Sequence, residues 1–335
     1  MRIWFNHWFS TAYHLINLIK NQEDNYCIIG SSANPQALYK LVCDEWYSEP
    51  DGLSDKKYIE YSLDFCKNHR VDLFIPRRHQ IAIAKESKKF LEIGVKILAV
   101  TDPEIIEYFD DKLKFYKWTK NILPEYVPEY KVANSFKEFE EYVEWFMNNG
   151  IRCCYKLPID EGAATFRVID EMNEYPKSLN TKPGYKVTKS LALKVMSNYS
   201  FKMPVMVMPF LDGCEVSVDC LLTECGEIII PRIKGNKRYT LIDLDSETVS
   251  ISKVLLNKIK SRVPINIQFK YENNRPYLLE INPRMSGGLQ LACVATEINI
   301  PNIAVNQLFG INKNWSYPQK RMFKVANLET PVVLD

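Results

Sequence analysis

The sequence predicts an α/β domain followed by an α+β region, and three patterns lead to this fold class. Short apolar runs alternate with helical stretches over the first hundred residues, which is typical of a parallel sheet covered by helices. Prolines and an extended segment within 110–128 mark a domain boundary. From Met203 onward, apolar strands separated by turns predict antiparallel β structure. At 335 residues, the chain is long enough for two or three packed units.

Composition and charge restrict the class of protein. Hydrophobic residues make up 46% of the chain and aromatic residues 12%, which is enough for the cores of a globular protein. The 43 Lys and Arg against 41 Asp and Glu leave a net charge of +2, so no overall basic field favours nucleic acid or an anionic membrane. No run approaches the roughly 18–20 apolar residues of a membrane span. We therefore expect a soluble protein without nucleic acid or membrane partners.

The cysteines and the N-terminal segment indicate a reducing compartment. Nine cysteines occur without paired C-x-x-C spacing, and Cys27, Cys220 and Cys293 lie within apolar runs. This pattern favours buried free thiols over disulfides or zinc. Polar residues interrupt the first 20 residues and no small-residue cleavage site follows, so the segment is interpreted as a strand and a helix and not as a signal peptide. We expect a cytoplasmic protein.

The first domain is predicted to contain strands at RIWF, NYCIIG, VDLFI and VKILAV. Its predicted helices end near Lys20 or span about 34–43, 58–68 and 80–93. A dinucleotide-dependent oxidoreductase would also fit this pattern. However, the turn after the second strand reads GSSAN, and the turn after the first has no glycine. Because the G-x-G-x-x-G phosphate motif is absent, the sequence argues against a dehydrogenase.

The rest of the chain changes from mixed to mainly β structure. A helix within DDKLKFYKWTK precedes the boundary prolines, and Ser135 with Glu138 forms a capping box for an apolar helical stripe that stops at Gly150. The strand RCCYKLP and a helix over about 189–198 follow. The predicted later strands are VMVMPFL, EVSVDCLL, EIIIPRI, INIQFKY and PYLLEI. Helices are predicted over about 249–262 and, divided at Pro301, over about 289–310.

The stretch IQFKYENNRPYLLEINPRMSGG, residues 267–288, contains the most informative polar residues. Its two strands flank a hairpin turn at ENNR, which brings Gln268 beside Glu280 and Asn282. The two-residue alternation of a strand places Glu280 and Asn282 on one face. Mg²⁺ prefers a few protein oxygens together with waters and substrate phosphates. One carboxylate and two amide oxygens therefore form a reasonable part of a metal site.

Polar residues continue directly after the second of these strands. Arg284 follows Pro283, and Ser286, Gly287 and Gly288 allow backbone amides to approach an anion closely. The alternative to a binding site is a buried strand that ends in an ordinary turn with a solvated arginine. A carboxylate within LLEI is costly to bury without a partner, however, so the combination favours a metal and phosphate site.

The motif LLEINPRMSGG, with Gln268 on the adjacent strand, resembles the metal and phosphate motif of the ATP-grasp superfamily. It is most similar to the branch that includes carbamoyl phosphate synthetase. Other features occur in the same order: an Asp-Lys pair at Asp111, a strand lysine at Lys156, an apolar hinge at 205–211, and D-G-x-E-V-S-V-D from Asp212. The arrangement also resembles bacterial ATP-grasp proteins associated with tellurium-resistance operons.

The resemblance implies a domain organisation and a metal site. A Rossmann-like preATP-grasp domain would cover 1–110, a linker helix and small lobe 111–204, and a large lobe with the metal and phosphate site 205–335. The two lobes of the ATP-grasp fold would clamp ATP. The metal, Mg²⁺ or alternatively Mn²⁺, would be held by Gln268, Glu280 and Asn282.

The resemblance also implies contacts to the nucleotide. Lys112 and Lys156 would bind its phosphates, the backbone near Met208 would meet the adenine, and Glu215 would meet the ribose hydroxyls. Arg284 would bind the transferred phosphoryl group, so Arg284 and Lys156 are the expected catalytic residues. Phosphoryl transfer depends mainly on positioning and charge neutralisation, which these side chains can supply.

Residues elsewhere are candidates for contact with the second substrate. Arg232, in PRIKGNKRYT, lies either at a solvated hairpin tip or near the γ-phosphate, where it could hold an anionic acceptor. Arg77 follows the strand VDLFI, and the carboxyl ends of parallel strands line the crevice of open α/β sheets. The remaining candidates, in the loop after Arg284, are Ser286 and Gly287.

We interpret the chain as an ADP-forming ligase that joins a small-molecule carboxylate to an amine, amino acid or thiol through an acyl phosphate. A small-molecule kinase that stops after phosphoryl transfer is one alternative, and product analysis separates the two. A non-catalytic nucleotide-binding regulatory protein is another, but a pocket without turnover does not need a phosphoryl-stabilising Arg284. A homodimer through apolar surface of the preATP-grasp domain is a further expectation from the resemblance.

Overall fold

The computed structural model shows the chain as two compact units, each built from separate segments. The described residues are 1–20, 25–160, 162–170, 184–235, 238–328 and 330–334. The first unit comprises Met1–Phe109, Cys214–Phe269 and Leu279–Asp335, and the second comprises Asp110–Gly213 and Lys270–Leu278. The second unit begins at the predicted boundary near residue 110, but it also includes 205–213, which the sequence assigns to the large lobe.

A five-stranded parallel sheet forms the N-terminal part of the first unit. Its strands are β1 (Arg2–Asn6), β2 (Cys27–Ser32), β3 (Glu45–Ser48), β4 (Leu73–Pro76) and β5 (Lys96–Ile97), in the spatial order β3-β2-β1-β4-β5. Among the described residues, the helices around it are α1 (Ala12–Lys20), α2 (Asp55–Asn68), α3 (Gln80–Lys85), α4 (Ser87–Glu92) and α5 (Pro103–Asp110). The predicted α/β domain is therefore confirmed.

Three details of this domain differ from the prediction. The segment predicted as a helix over 34–43 forms only a 3₁₀ turn at Leu38–Val42. The side chain of Asn34 accepts a hydrogen bond from the backbone two residues later, which favours a turn, and Cys43 already has extended backbone angles. The predicted helix over 80–93 is divided into α3 and α4 at Glu86. Strand β3 is absent from the prediction.

The core between the parallel sheet and its helices is rich in aromatic side chains. Trp4 is fully buried and stacks against Phe65 on α2 and Phe74 on β4, with ring centroids 4.3 and 4.0 Å away. Its indole N–H donates to Oγ of Ser31 at 2.8 Å. Since stacking adds to the effect of burial, Trp4 connects α2 firmly to the centre of the sheet.

A buried carboxylate lies at the carboxyl edge of the same sheet. Glu49 follows β3 and is 3% exposed. It accepts hydrogen bonds from Oγ of Ser31 at 2.9 Å and from the hydroxyl of Tyr58 at 2.5 Å. That hydroxyl accepts in turn from Nδ2 of Asn6, at 2.8 Å. Burial raises the pKa of the Glu49 carboxyl, because loss of water penalises the charged form.

The Glu49 carboxyl should make stability fall as pH rises. A group with a higher pKa in the folded state binds its proton more tightly there, so its contribution is complete below the unfolded pKa and is lost as pH rises through the folded pKa. Relative to Glu49→Gln, which cannot ionise, the parent should lose melting temperature as pH rises above the ordinary glutamate pKa of about 4.3. Thermal unfolding followed by circular dichroism measures this difference.

Glu45→Gln is the matched control on strand β3. Nη2 of Arg2 donates to the Glu45 carboxylate at 2.8 Å, and this hydrogen bond lowers the pKa of Glu45. A lowered pKa contributes stability that is present above the unfolded value and is lost as pH falls. The two substitutions should therefore show opposite trends with pH. Parallel trends would contradict the ionisation of Glu49 as the cause.

The second unit is built on a five-stranded mixed sheet. Its strands are β6 (Lys131–Ala133), β7 (Cys153–Lys156), β8 (Arg167–Ile169), β9 (Lys186–Val187) and β10 (Val205–Pro209), in the order β6-β10-β7-β8-β9. Its described helices are α6 (Lys112–Lys120), α7 (Phe136–Asn148) and α8 (Lys189–Met196). The predicted apolar stripe of α7 is confirmed, since Phe139, Val143 and Phe146 are fully buried in the core of this unit.

The predicted cap of α7 is present with one change. Oγ of Ser135 accepts from the backbone N–H of Glu138 at 3.2 Å, as a capping residue should. The Glu138 carboxylate reaches back to the N–H of Asn134 at 2.6 Å, one residue before the position that a reciprocal capping box uses. The cap therefore satisfies two backbone donors, but not the expected pair.

A six-stranded sheet forms the rest of the fold. Its strands are β11 (Glu215–Thr223), β12 (Gly226–Lys234), β13 (Thr240–Asp243), β14 (Ile265–Glu272), β15 (Arg275–Asn282) and β16 (Met322–Val325), in the order β15-β14-β11-β12-β13-β16. The pairs β11–β12, β12–β13 and β13–β16 are antiparallel. The antiparallel character is predicted, but strands β13 and β16 are absent from the prediction. Its described helices are α9 (Glu247–Ile259), α10 (Leu289–Thr296) and α11 (Ile300–Leu308). No helix in the described part of the chain has the length and apolar character to cross a bilayer.

The hairpin of β14 and β15 has the predicted turn. Asn273 and Asn274 both have positive φ, at 49° and 62°, as a type I′ turn requires. The tip of the hairpin, Lys270–Leu278, belongs to the second unit, and the remainder belongs to the first. Within the second unit, Nη2 of Arg275 donates to the carbonyl of Glu125 at 2.6 Å.

Candidate active site

The residues predicted as metal ligands lie on two neighbouring strands of the first unit. Gln268 is on β14, and Glu280 and Asn282 are on β15, next to it in the sheet. Nδ2 of Asn282 donates to Oε1 of Glu280 at 3.1 Å. The structure therefore places Glu280 and Asn282 on one face, as strand alternation predicts. All three side chains are half-buried, so their oxygens are neither fully solvated nor enclosed.

Arg284 extends this row of polar side chains past the end of β15. Its Nη1 donates to Oδ1 of Asn282 at 2.7 Å. An amide oxygen has two lone pairs, so Asn282 can accept this hydrogen bond and still offer one lone pair to a cation. The guanidinium thus lies beside the set of oxygens and supplies a positive charge there.

The donor set fits a hard divalent cation. Glu280 offers a carboxylate, and Gln268 and Asn282 offer amide oxygens, which are ligand types that Mg²⁺ accepts alongside waters and phosphates. Within the described ranges, no three His, Cys, Asp or Glu side chains are grouped as a metal site. A set of one carboxylate and two amides would be a site of a different type.

The glycine loop after Arg284 is held closely against other parts of the first unit. A Cβ added to Gly287 would lie 3.3 Å from Oγ1 of Thr11 and 3.7 Å from the ring of Phe9. Oγ1 of Thr11 is buried and has no hydrogen-bond partner among the described residues. Thr11 immediately precedes α1, whose first backbone N–H groups donate to the carbonyls of the preceding turn. The loop and the start of α1 therefore form one polar corner.

Arg232 does not lie at a solvated hairpin tip. It is 4% exposed, and its Nε donates to Oδ2 of Asp219 at 2.6 Å. Its Nη2 donates to Oγ of Ser286 at 2.7 Å. The predicted alternative of a solvated hairpin tip is therefore wrong. The Arg232 side chain points inward, and Asp219 on the neighbouring strand neutralises its charge.

The turn after β4 places Arg77 near the same corner. The guanidinium carbon of Arg77 is 5.7 Å from the ring centroid of Phe9, and its backbone N–H donates to Oδ1 of Asn6 at 2.6 Å. Nε2 of Gln80 donates to the carbonyl of Pro283 at 2.6 Å, which connects this turn to the metal motif. Arg77 therefore remains a candidate for contact with the second substrate.

The two basic residues after Arg77 have acidic partners. Arg78 forms an ion pair with Asp51. Nδ1 of His79 is 2.6 Å from a carboxylate oxygen of Asp55. The Arg78–Asp51 ion pair reduces the positive charge that the turn presents.

In the second unit, the two predicted phosphate-binding lysines both lie where α6 meets the end of β7. Lys112 begins α6, and its Nζ donates to the carbonyl of Asp160 at 3.2 Å. Nζ of Lys156, at the end of β7, is 5.9 Å from the ring centroid of Tyr116, one helical turn after Lys112. Two cations in one region favour an anionic ligand.

The residues predicted near the adenine and ribose lie in different units. Met208, on β10 of the second unit, is 3% exposed and pairs with Cys154. Glu215 begins β11 in the first unit and forms an ion pair with Lys234. Contact between Glu215 and a ribose would have to compete with this ion pair, which is exposed and therefore weak.

Two buried residues beside the metal motif have no role in the prediction. Nδ2 of Asn266 donates to Oδ1 of Asp219 at 2.8 Å, and Nε2 of Gln268 donates to Oδ1 of Asn266 at 3.4 Å. The signal for Asp219 is present in the sequence, because a carboxylate within EVSVDCLL requires a buried partner. Asn266 precedes Gln268 by two residues and so shares its face of β14.

Solved structures share this fold. The N5-carboxyaminoimidazole synthetase of Staphylococcus aureus matches 95% of the chain and 78% of its own length, with a TM-score of 0.64 and 14% identity. The biotin carboxylase domain of the 2-oxoglutarate carboxylase of Hydrogenobacter thermophilus, solved with MgADP, ADP and bicarbonate, matches 94% of the chain and 71% of its own length, with a TM-score of 0.67 and 13% identity. At these identities the similarity concerns the fold.

A family model adds the sequence-level match. Residues 201–331, which include the whole metal motif, match the family described as ATP-grasp in the biosynthetic pathway with Ter operon. Over these residues the chain resembles this ATP-grasp family. The predicted resemblance and the predicted fold class are therefore confirmed.

Among ATP-grasp relatives, the chain is similar to carbamoyl phosphate synthases. It is 23% identical to the large chain from Clostridium acetobutylicum over 314 residues, covering 86% of the chain but 28% of that relative. It is 22% identical to the C-terminal section of the large chain from Aquifex aeolicus, covering 83% of the chain and 52% of that relative. The chain thus spans about a quarter to a half of the length of these relatives.

Proposed function

We propose that this ATP-grasp chain is an ADP-forming ligase that uses ATP and Mg²⁺ to activate a carboxylate. The observation that carries the proposal is the hydrogen-bonded row of Glu280, Asn282 and Arg284, beside Gln268 on the adjacent strand. It combines oxygen ligands for a cation with a positive charge for a phosphoryl group. The MgADP complex of a structure with the same fold supports this choice of ligand.

The nucleotide contacts that the resemblance implies are kept as proposals. Lys112 and Lys156 are assigned to the phosphates, because both are cations in one region of the second unit. The backbone near Met208 is assigned to the adenine, and Glu215 to the ribose. Bound Mg²⁺ would neutralise charge on the phosphates.

The proposed reaction proceeds in two steps. A carboxylate oxygen of the substrate attacks the γ-phosphorus, the bond from that phosphorus to the bridging oxygen breaks, and ADP leaves with that oxygen. The amine, amino acid or thiol then attacks the acyl carbon, the bond from carbon to the phosphate oxygen breaks, and inorganic phosphate leaves while the nucleophile loses its proton. Arg284 and Lys156 would stabilise the negative charge on the transferred group.

The second substrate is proposed to lie in the polar corner of the first unit. This corner contains the Arg77 guanidinium, the buried hydroxyl of Thr11, the start of α1 and the backbone of Gly287. A guanidinium favours an anionic group on that substrate. Ser286 contributes to the same loop.

The first test measures the binding of MgATP to the parent and to Glu280→Ala. The measured quantity is the melting temperature, with and without Mg²⁺. A ligand that binds only the folded state stabilises it by about 2.7 kcal/mol at a concentration of 100 times its Kd. We expect a rise in melting temperature that requires both ATP and Mg²⁺ in the parent and is absent in Glu280→Ala, since the substitution removes the proposed carboxylate ligand.

Glu224→Ala is the matched control, because Glu224 is an exposed glutamate of the same unit that pairs with Arg262 at the surface. It should retain the full MgATP effect. If the parent shows no effect at millimolar ATP, or if Glu280→Ala retains it, the proposed site is wrong. Release of ADP with a stable phosphorylated product would indicate a kinase instead of a ligase.

A further inference from the structure

A buried ion pair outside the proposed contacts with substrates lies at the centre of a polar network in the first unit. Asp219 on β11 and Arg232 on β12 are 2% and 4% exposed, and Nε of Arg232 is 2.6 Å from Oδ2 of Asp219. Well-packed apolar residues often stabilise a protein as much as a buried ion pair does. Stability alone is therefore a weak reason for this pair, and its contacts indicate another role.

One arm of the network leads to the proposed metal ligand on β14. Oδ1 of Asp219 accepts from Nδ2 of Asn266 at 2.8 Å, and this fixes the orientation of the Asn266 amide. Oδ1 of Asn266 then accepts from Nε2 of Gln268 at 3.4 Å. Because the NH₂ group of Gln268 faces Asn266, its Oε1 is the atom that remains for a cation.

The other arm leads to the glycine loop after Arg284. Oγ of Ser286 donates to Oδ1 of Asp219 at 2.7 Å and accepts from Nη2 of Arg232 at 2.7 Å. A Cβ added to Gly288 would lie only 2.3 Å from Nη1 of Arg232. The guanidinium therefore packs directly against the loop backbone, and the hydroxyl of Ser286 is held from two sides.

We propose that Asp219 and Arg232 are positioning residues for the metal-bound nucleotide. Through Asn266 they orient Gln268, and through Ser286 and Gly288 they fix the loop that follows the proposed metal ligands of β15. The pair itself contacts neither metal nor nucleotide. This inference rests on the proposed function, since it assigns the network to the same site.

The test compares the affinity for MgADP with the affinity for ADP in excess EDTA, by calorimetry on the full chain. Arg232→Lys retains the positive charge but loses the planar fork that reaches Asp219, Ser217 and Ser286 together. Loss of partners that orient metal ligands typically costs about 10–100-fold in metal affinity or activity. We expect MgADP to bind at least about tenfold more weakly while metal-free ADP binds as in the parent.

The matched control is Arg262→Lys, which changes an exposed arginine of the same unit that pairs with Glu224. It should leave both affinities unchanged. A role of Arg232 in overall folding would weaken both forms of ADP equally or reduce the folded fraction seen by circular dichroism. Only a positioning role lowers the affinity for MgADP selectively.

A second variant leaves both residues of the ion pair, Asp219 and Arg232, unchanged. Gly288→Ala introduces a methyl group against Nη1 of Arg232, so Arg232 or the loop must move. Gly235→Ala is its control, because a Cβ there meets no atom within 4 Å. We expect Gly288→Ala to weaken MgADP selectively and Gly235→Ala to have no effect.

The outcomes separate this inference from the proposed function. If the parent does not bind MgADP, the proposed function fails and the inference fails with it. If the parent binds MgADP but folded Arg232→Lys and Gly288→Ala bind it equally well, the inference alone is overturned. Equal losses for MgADP and metal-free ADP would also overturn it.

Discussion

Replacing Trp4 with alanine is expected to lower the free energy of unfolding by about 3–5 kcal/mol, the usual cost of removing a large aromatic side chain from a core. Trp4 is fully buried and stacks against Phe65 and Phe74, so alanine would leave a cavity that these rings cannot readily fill. The substitution also removes the indole N–H that donates to Ser31. Ser31 holds Glu49, so the loss extends to the polar network at the sheet edge.

Urea denaturation followed by circular dichroism measures the effect of Trp4→Ala. Trp145→Ala is the matched control, since Trp145 lies on α7 and is 39% exposed. The control should cost much less than the core substitution, because little apolar surface is returned to water. A cost below about 1 kcal/mol for Trp4→Ala would show that the sheet can close over the cavity.

Breaking the buried ion pair is expected to have an effect of similar size. Asp219→Ala leaves Arg232 charged and buried, and Arg232→Met leaves Asp219 without its cation; each should cost about 3–5 kcal/mol. The double variant buries neither charge. It should therefore cost much less than the sum of the two single substitutions, and the difference measures the coupling between the side chains.

Denaturation of the four proteins in this cycle gives the coupling energy directly. The remaining contacts favour a large value, because Ser286 and Asn266 both bond to Asp219 and cannot neutralise an unpaired Arg232. Additive costs would mean that the two charges are solvated or independently satisfied. A stable double variant that fails to bind MgADP would also separate the stability of the pair from its positioning role.

Local sequence patterns predicted the elements with clear periodicity. The apolar stripe of α7 and the alternation in β15 depend on residues that are close in sequence, so they could be read directly. The predicted helix at 34–43 was wrong. The turn at Asn34 and the extended backbone of Cys43 leave only a short 3₁₀ turn between them. Strand β3 is only half-buried at the sheet edge, and its four residues show no clear alternation.

The candidate site was predictable only where its residues share a strand. Glu280, Asn282 and Arg284 are spaced by two, which is sufficient to place them in one row. The partner of Arg232 depends on the register between β11 and β12, in which Ser217 lies opposite Arg232 and Asp219 lies two residues further on. That register is a long-range property, so a solvated tip remained open for Arg232 until the pairing was known. The roles of Lys112, Lys156, Met208 and Glu215 in nucleotide binding stay predictions.

The hairpin of β14 and β15 has a consequence for the way in which this protein can be divided. Its base belongs to the first unit and its tip, Lys270–Leu278, to the second, so neither unit is encoded by an uninterrupted stretch of the gene. A recombinant fragment limited to 110–213 would lack the tip. It would therefore lack the Arg275 side chain that donates a hydrogen bond to the Glu125 carbonyl. If the chain were cut after Gly213, parts of the same unit would likewise lie on two different polypeptides.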